Sequence, residues 1–340
     1  MRRVFWVQQR WLWQNVTKYF TILLLGLCSA CSMTPKDVHE TRFMMGTLVS
    51  FTVVGVEKDQ AEAAIHAATN EMQRIEDAFT IYGSVDNEVK HFNRSPVGQR
   101  IQLSDEVNML LHIALKVQQQ SHGAFNPALG ALNKLWGFSQ TPAPTHPPNK
   151  NRVEKKRQGL SHCVHESPEG WWRDSEQCQL DFGAIAKGYA IDRGIKILKD
   201  HAIQNAIIDA GGDLRLIGQH GKQAWRIGIR SPRDAKKMLG VLHLQGDVSV
   251  VTSGDYERFF MENGKRYHHI LNPQTGCPSV KSQSVTVVAK QAMLADAWST
   301  AVFVLGKKGV DLANKQALQV LGVDEDGQTF KSEGWHLLVQ

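Results

Sequence analysis

A compact mixed α/β (α+β) body is predicted for this chain, with its division into two lobes left open, and three observations carry the prediction. Two stretches of the first half repeat apolar residues at spacings of three and four. Short β-branched runs of the second half alternate with helical ones. Beyond the N-terminal segment no apolar run is long enough for a membrane-spanning helix, and no repeat of fixed period is evident. The 340 residues are 42% hydrophobic and 21% charged, which suffices for a large core.

The elements follow in order. Residues 43–54 (FMMGTLVSFTVV) read as a strand, β-branched with a glycine interruption. Lys58–Phe79 reads as a helix, because Ala61, Ala64, Ile65, Ala68, Met72, Ile75 and Phe79 fall on one face. A second helix starts at Ser104, a suitable N-cap, and carries Val107, Leu111, Ala114 and Leu115 to about Gln120. Residues 141–151 (TPAPTHPPNKN) hold four prolines and read as an exposed loop. Strands are expected at about 160–166 and 171–180, then a helix over about 186–201. Further strands are expected at 206–209, 225–229, 241–244, 248–252 and 284–289, with a last helix over Ala292–Leu305.

The net charge of +6 is concentrated at the start. Arg2, Arg3, Arg10 and Lys18 lie in a 30-residue stretch without Asp or Glu; setting those four aside lowers the 39 basic residues to 35, against 33 acidic ones. The basic balance is therefore a targeting signature and not a nucleic-acid footprint. The apolar run Phe20–Cys28 (FTILLLGLC) is too short to span a bilayer, and Ser29, Ala30 and Cys31 follow it. Residues 1–30 read as a lipoprotein signal, with cleavage before Cys31, acylation of its thiol, a tether over 31–40 and the folded domain over 41–340. Cys28 is the weaker lipidation site because Leu27 precedes it. The ordinary alternative is a plain signal peptide with an incidental cysteine. The expected location is the periplasmic side of a bacterial membrane, inner or outer, with Ser32 pointing to the outer. Of five cysteines, Cys163, Cys178 and Cys277 lie in the body. An exported compartment permits a Cys163–Cys178 bridge, and three unpaired thiols is the favoured expectation.

Several stretches carry chemistry. In "LDFGAIAKGYAID", Gly183 and Gly188 bracket a turn with Lys187, but the lysine precedes the second glycine and Tyr189 follows it. It is not a P-loop, yet it suits a polyphosphate beside Asp181. In "LADAWSTAVFVLG", Asp296 and Thr300 share one helical face, and two hard oxygen donors suit magnesium. A helix-surface aspartate is the ordinary explanation, but so apolar a helix makes an unpaired charge expensive. In "NGKRYHHILNPQTGCP", His268 and His269 would face opposite sides of a strand, one to solvent and one inward, in a functional or a structural role. Gly211 and Gly212 of "NAIIDAGGDLRLIG" permit close backbone approach to a ligand or make an ordinary turn. "VVTSGDYERFF" offers Thr252 and Ser253 without a nucleophile elbow. Phe125, Asn126 and Trp136 of "GAFNPALGALNKLWGF" flank a planar ring or simply pack.

Together with "MMGT", these stretches and their order resemble the FAD:protein FMN transferases, the ApbE family once described as thiamine-biosynthesis lipoproteins; the resemblance runs from about Thr41 to about Gly306. It implies an ApbE-like flavin transferase fold. It also implies magnesium-dependent transfer of FMN from FAD to a Thr or Ser of an acceptor protein, with release of AMP. By matching motifs it places Met45, Tyr82, Ala124, Phe125, Asn126, Asp181, Lys187, His269 and Ile270 at FAD. The metal falls to the Ala184 carbonyl and to the side chains of Asp296 and Thr300, and the catalytic base to His269, with Asp181 as rival. Asn126 and Asn272 stand where many members have aspartate, so neither is expected to act as an acid. The implied acceptors are exported subunits of Na+-translocating NADH:quinone oxidoreductase or related electron-transport complexes. Two other readings stay open: a magnesium-dependent FAD pyrophosphatase giving FMN and AMP, and a non-enzymatic FAD-binding lipoprotein.

Overall fold

A computed structural model describes residues 36–335; the signal segment, Cys31 and most of the expected tether lie outside the described residues. The largest element is a sheet of eight strands: β1 Val38–Met44, β2 Thr47–Val53, β5 Ala206–Ala210, β6 Asp213–Ile217, β9 Val248–Gly254, β12 Ser282–Ala289, β13 Gln319–Asp324 and β14 Thr329–Lys331, hydrogen-bonded in that order and antiparallel throughout. Three two-stranded ribbons complete the strand set: β3 Val164–Ser167 with β4 Gly170–Arg173, β7 Trp225–Arg230 with β8 Met238–Leu244, and β10 Phe259–Glu262 with β11 Lys265–His268.

The helices are α1 Lys58–Phe79, α2 Glu88–Arg94, α3 Asp105–Gln120, α4 Gly130–Trp136, α5 Lys150–Arg157, α6 Ala186–Asp200, α7 Ala292–Leu305 and α8 Val310–Asn314. The apolar face read in α1 is the buried face, and it packs on α6; α6 packs on α7, and α7 on β12 and β9. Phe51, Phe182, Trp298 and Phe303 are buried in the core between this helical layer and the sheet. The opposite face of the sheet is covered in part by the β7–β8 ribbon, whose Trp225, Ile229 and Leu242 pack on Leu214, Leu216 and Val250. From Asp37 onward the chain is one compact unit, which closes the question of two lobes. None of the described helices is long and apolar enough to cross a membrane.

Several expectations are corrected. The stretch 43–54 is not one strand but the second half of a hairpin. Met45 and Gly46 sit at φ 55° and 70°, the left-handed pair that a tight two-residue turn needs. Pairing begins at Val38, inside the stretch read as tether. The strand expected at 171–180 ends at Arg173. Helices α2, α4, α5 and α8 and strands β6, β13 and β14 were not anticipated, and α5 starts inside the proline-rich stretch. Cys163 and Cys178 form a disulfide, against the expectation of unpaired thiols; both are buried beside α4 with Leu132 and Trp136. Cys277 is free and exposed.

Candidate active site

The site grows from the crossing of α6 and α7. Phe182 is wholly buried and anchors the turn before α6, its carbonyl accepting from both Ile185 N and Ala186 N. At Gly188 the two helices touch: a Cβ there would lie 2.3 Å from the carbonyl oxygen of Ala292, so only glycine fits. The Gly188 N–H, an unpaired donor of the first turn of α6, donates to Asp296 Oδ2 at 3.0 Å. The Ala184 carbonyl lies just before the helix, and among the described residues no donor reaches it.

Asp296 is 5% exposed. Burial, then the nearby charge of Asp213, push its carboxyl up to about 7. Thr300 lies one helical turn further on the same face, its Oγ1 3.4 Å from Ser253 Oγ. A free carbonyl, a buried carboxylate and a hydroxyl make an oxygen-only donor set, which fits a hard divalent cation completed by water and ligand oxygens. Among the described residues no group of three or more His, Cys, Asp or Glu could hold a metal, so this mixed set is the candidate.

A second carboxylate backs the lysine. Lys187 forms an ion pair with Asp213, which is nearly fully buried and also accepts from Thr252 N at 2.9 Å. Burial pulls the Lys187 ammonium down, but the charges of Asp213 and Asp296 outweigh it and the net shift is upward. Asp209, accepting from Gly212 N at 2.7 Å, is raised by burial and by Asp213.

The opposite wall is built from the turn before α6 and from the β10–β11 ribbon. Asp181 accepts from Gly183 N at 2.9 Å and from Asn133 Nδ2 at 2.7 Å, so both oxygens are engaged. The Tyr82 hydroxyl is pushed above its usual range by burial and then by the Asp181 charge, with Ser139 and Arg258 opposing. Arg258 donates to Ser139 Oγ at 3.0 Å, and its carbonyl accepts the His269 N–H at 3.1 Å. His269 Nδ1 is buried with no partner. Burial, then the charges of Arg258, His268 and Lys187, hold this imidazole well below its ordinary value, so it is neutral at pH 7.

Ala184, Lys187, Asp296, Thr300, His269, Tyr82 and Asp181 thus belong to one region. Other sequence-assigned residues contribute differently. Ala124, Phe125 and Ile270 are buried, 6%, 2% and 6% exposed, and pack against the main core. Asn126 uses its amide structurally, accepting from Ala128 N at 2.8 Å within its own loop and donating to Leu160 O of a distant segment at 3.0 Å. Its loop lines a separate cavity of about 250 Å³ with Gln118, Gly159 and Gln274. Met45 sits at the β1–β2 hairpin tip, fixed by its N–H to Glu76 Oε2 at 2.8 Å, beside the Gly211–Gly212 turn. Of the pair, His268 is the inward member, buried and bonded to Ser279 O at 2.7 Å, while His269 is half-buried with its Nδ1 turned inward.

Sequence reading missed three partners. Asp213 was visible only as the end of a glycine turn. Asp192, at the end of the Lys187 motif, accepts from Ala292 N at 2.8 Å and Met293 N at 3.0 Å and pairs with Arg215, tying α7 to α6. Arg258 gave no signal, because its neighbours come from distant segments.

Comparison with known proteins identifies the family and the fold. A family model described as the ApbE family matches residues 45–321. The chain is 28% identical to an FAD:protein FMN transferase of Klebsiella pneumoniae, covering 92% of this chain and 95% of that protein. It is 33% identical to one of Treponema pallidum, covering 80% and 79%. Among solved structures, the ApbE protein from Thermotoga maritima superposes with a TM-score of 0.82 at 32% identity, covering 90% of this chain and 100% of that one. The flavin transferase ApbE from Vibrio cholerae gives 0.76 at 26% identity, covering 88% and 98%.

Proposed function

The chain belongs to the ApbE family, and from that membership we propose that it is an FAD:protein FMN transferase, moving the FMN half of FAD onto a Thr or Ser hydroxyl of another protein and releasing AMP. The observation that supports this most is the buried Asp296 carboxyl bonded to the Gly188 N–H at the start of α6, next to an Ala184 carbonyl that no donor reaches. Ala184 O, Asp296 and Thr300 would hold a magnesium ion, which would supply Lewis-acid charge to the diphosphate.

The chain's own residues divide the remaining work. Lys187, kept charged by Asp213, draws the diphosphate oxygens into the crossing. Tyr82 and the Met45 tip border the flavin half. His269 presents a neutral, unpartnered Nδ1 that takes the proton of the attacking hydroxyl. As that oxygen bonds the FMN-side phosphorus, the link to the AMP-side phosphate breaks and AMP leaves. Asp181, with both oxygens engaged, holds the turn and orients Asn133.

The basic and apolar N-terminal segment with Cys31 supports export and a lipid anchor. The Cys163–Cys178 disulfide suits the same oxidising compartment. Exported electron-transport subunits are the acceptors that fit this location. The test is incubation with FAD, MgCl2 and a Thr-bearing acceptor domain. Flavin fluorescence that stays with the acceptor after denaturation is the expected result. Free FMN and AMP without labelled acceptor would indicate the pyrophosphatase instead, and intact FAD retained without turnover a binding protein.

A further inference from the structure

Helix α5 (KNRVEKKR) puts five cations and one carboxylate into eight residues, on a chain whose charge beyond the N-terminal stretch is nearly balanced, 35 basic to 33 acidic residues. Glu154 is engaged within the helix by Arg157. Lys150, Arg152, Lys155 and Lys156 form no ion pair among the described residues. Arg152 stands three and four residues before Lys155 and Lys156, a spacing at which like charges repel across one helical face. The first turn holds no acidic residue, and Lys150 there opposes the helix dipole. Only Val153 is buried, so little core burial offsets this repulsion, and an anionic partner would relieve it.

The packing of α5 ties this charge to the site. Val153 and Arg157 press on Gly276, where an added Cβ would lie 2.9 and 3.3 Å from them. Gly276 belongs to the turn that leaves His269. Ser279 N donates to Ile270 O at 2.9 Å and Asn272 N to Cys277 O at 2.8 Å, and Trp136 Nε1 holds Gly276 O at 2.8 Å. Helix α5 therefore stands beside the segment that carries the histidine assigned to the attacking hydroxyl. Arg152 and Lys155 are exposed on the helix face away from Val153. Transfer to a protein requires a second chain to bring its hydroxyl to His269, so the surface around that hydroxyl comes to lie against this rim.

We infer that α5 is a docking surface for the acceptor protein, and that the acceptor presents carboxylates beside its Thr or Ser. This inference rests on the reading of the chain as a transferase acting on a protein hydroxyl. Opposite charges at such a rim speed encounter and fix register. The consequence is a choice among acceptors by the charge that flanks the hydroxyl, with FAD binding untouched.

The test uses two acceptor domains, one with carboxylates flanking its Thr and one with those carboxylates changed to amides. They are assayed with the wild type and with the triple variant Arg152→Glu, Lys155→Glu, Lys156→Glu. The wild type should show a KM for the acidic acceptor roughly tenfold below that for the amide form, the sum of a few exposed charge pairs. Raising NaCl from about 50 to about 500 mM should remove most of that difference. The triple variant should lose the preference for the acidic acceptor, with kcat at saturating acceptor and FAD affinity within about twofold of wild type. Equal KM values for the two acceptors with the wild type, or a preference that survives both salt and charge reversal, overturn the inference. So does a triple variant that loses binding to phosphatidylglycerol vesicles while its acceptor KM stays unchanged, which would make α5 a membrane-facing surface. A wild type that labels neither acceptor overturns the transferase reading itself.

Discussion

At the residue scale the site works by matching buried charges. Lys187 remains charged in a buried setting because Asp213 and Asp296 face it. Lys187→Ala removes the one cation facing both and leaves two carboxylates repelling each other and the substrate. It should weaken FAD binding by at least about tenfold, as expected for a lost charge-assisted contact. Isothermal titration with FAD checks this, and an unchanged dissociation constant would contradict the assignment. The residue types of this set were legible in the sequence, since Lys187, Asp296 and Thr300 all sit in recognisable stretches. Their partners were not. Asp213 and Asp192 act through hydrogen bonds to Thr252, Ala292 and Met293, which are distant in sequence and adjacent only after folding.

At the element scale the crossing of α6 and α7 decides the geometry. Gly188→Ala would drive a methyl group to 2.3 Å from the Ala292 carbonyl, so the helices must separate. Overpacking of this kind costs about 1–3 kcal/mol. The same displacement should break the Gly188–Asp296 bond, so thermal unfolding and transferase assays should both show loss; full activity with native stability would contradict the crossing. A second contact joins α1, α3 and α6 through Glu71, Arg74, Glu106, Tyr189 and Arg193. Hydrogen bonds from Arg74 hold the Glu71 and Glu106 carboxyls below their usual range. Groups lowered in this way stabilise the fold above their unfolded values near 4.5 and lose that contribution as acid protonates them. Urea unfolding of the wild type should therefore weaken between about pH 5 and 3 more than that of Arg74→Leu; parallel curves would contradict the link. Helices α1, α3, α6 and α7 were legible because each shows an apolar period or a cap over several turns. The seven-residue α2 and α4 span about two turns, too short for a period to declare itself against turn-rich neighbours.

At the scale of the whole molecule, one antiparallel sheet carries a helical layer, and the site lies where that layer meets the strand ends. The fold class was legible from alternation and composition. Strand order, and with it the juxtaposition of residues 181–188, 213 and 296, was not, because pairing across long sequence separations leaves no local trace. The Cys163–Cys178 bridge was open from the sequence but not favoured, since two cysteines 15 apart bridge only when the folded chain brings them together. Closing a loop of that length is worth about 3 kcal/mol. Cys178 lies three residues before Asp181, so the bridge also steadies the segment feeding the site. Reduction should lower the melting temperature and weaken FAD binding together; full reduction, verified by thiol titration, with neither change would contradict this coupling.

The most direct test of the central claim is anomalous diffraction from crystals soaked in Mn²⁺ and FAD. The expected result is one strong peak bounded by the Ala184 carbonyl, the Asp296 carboxylate and the Thr300 hydroxyl, lost in Asp296→Ala. A peak elsewhere, or none beside these three oxygens while flavin is bound, would contradict it.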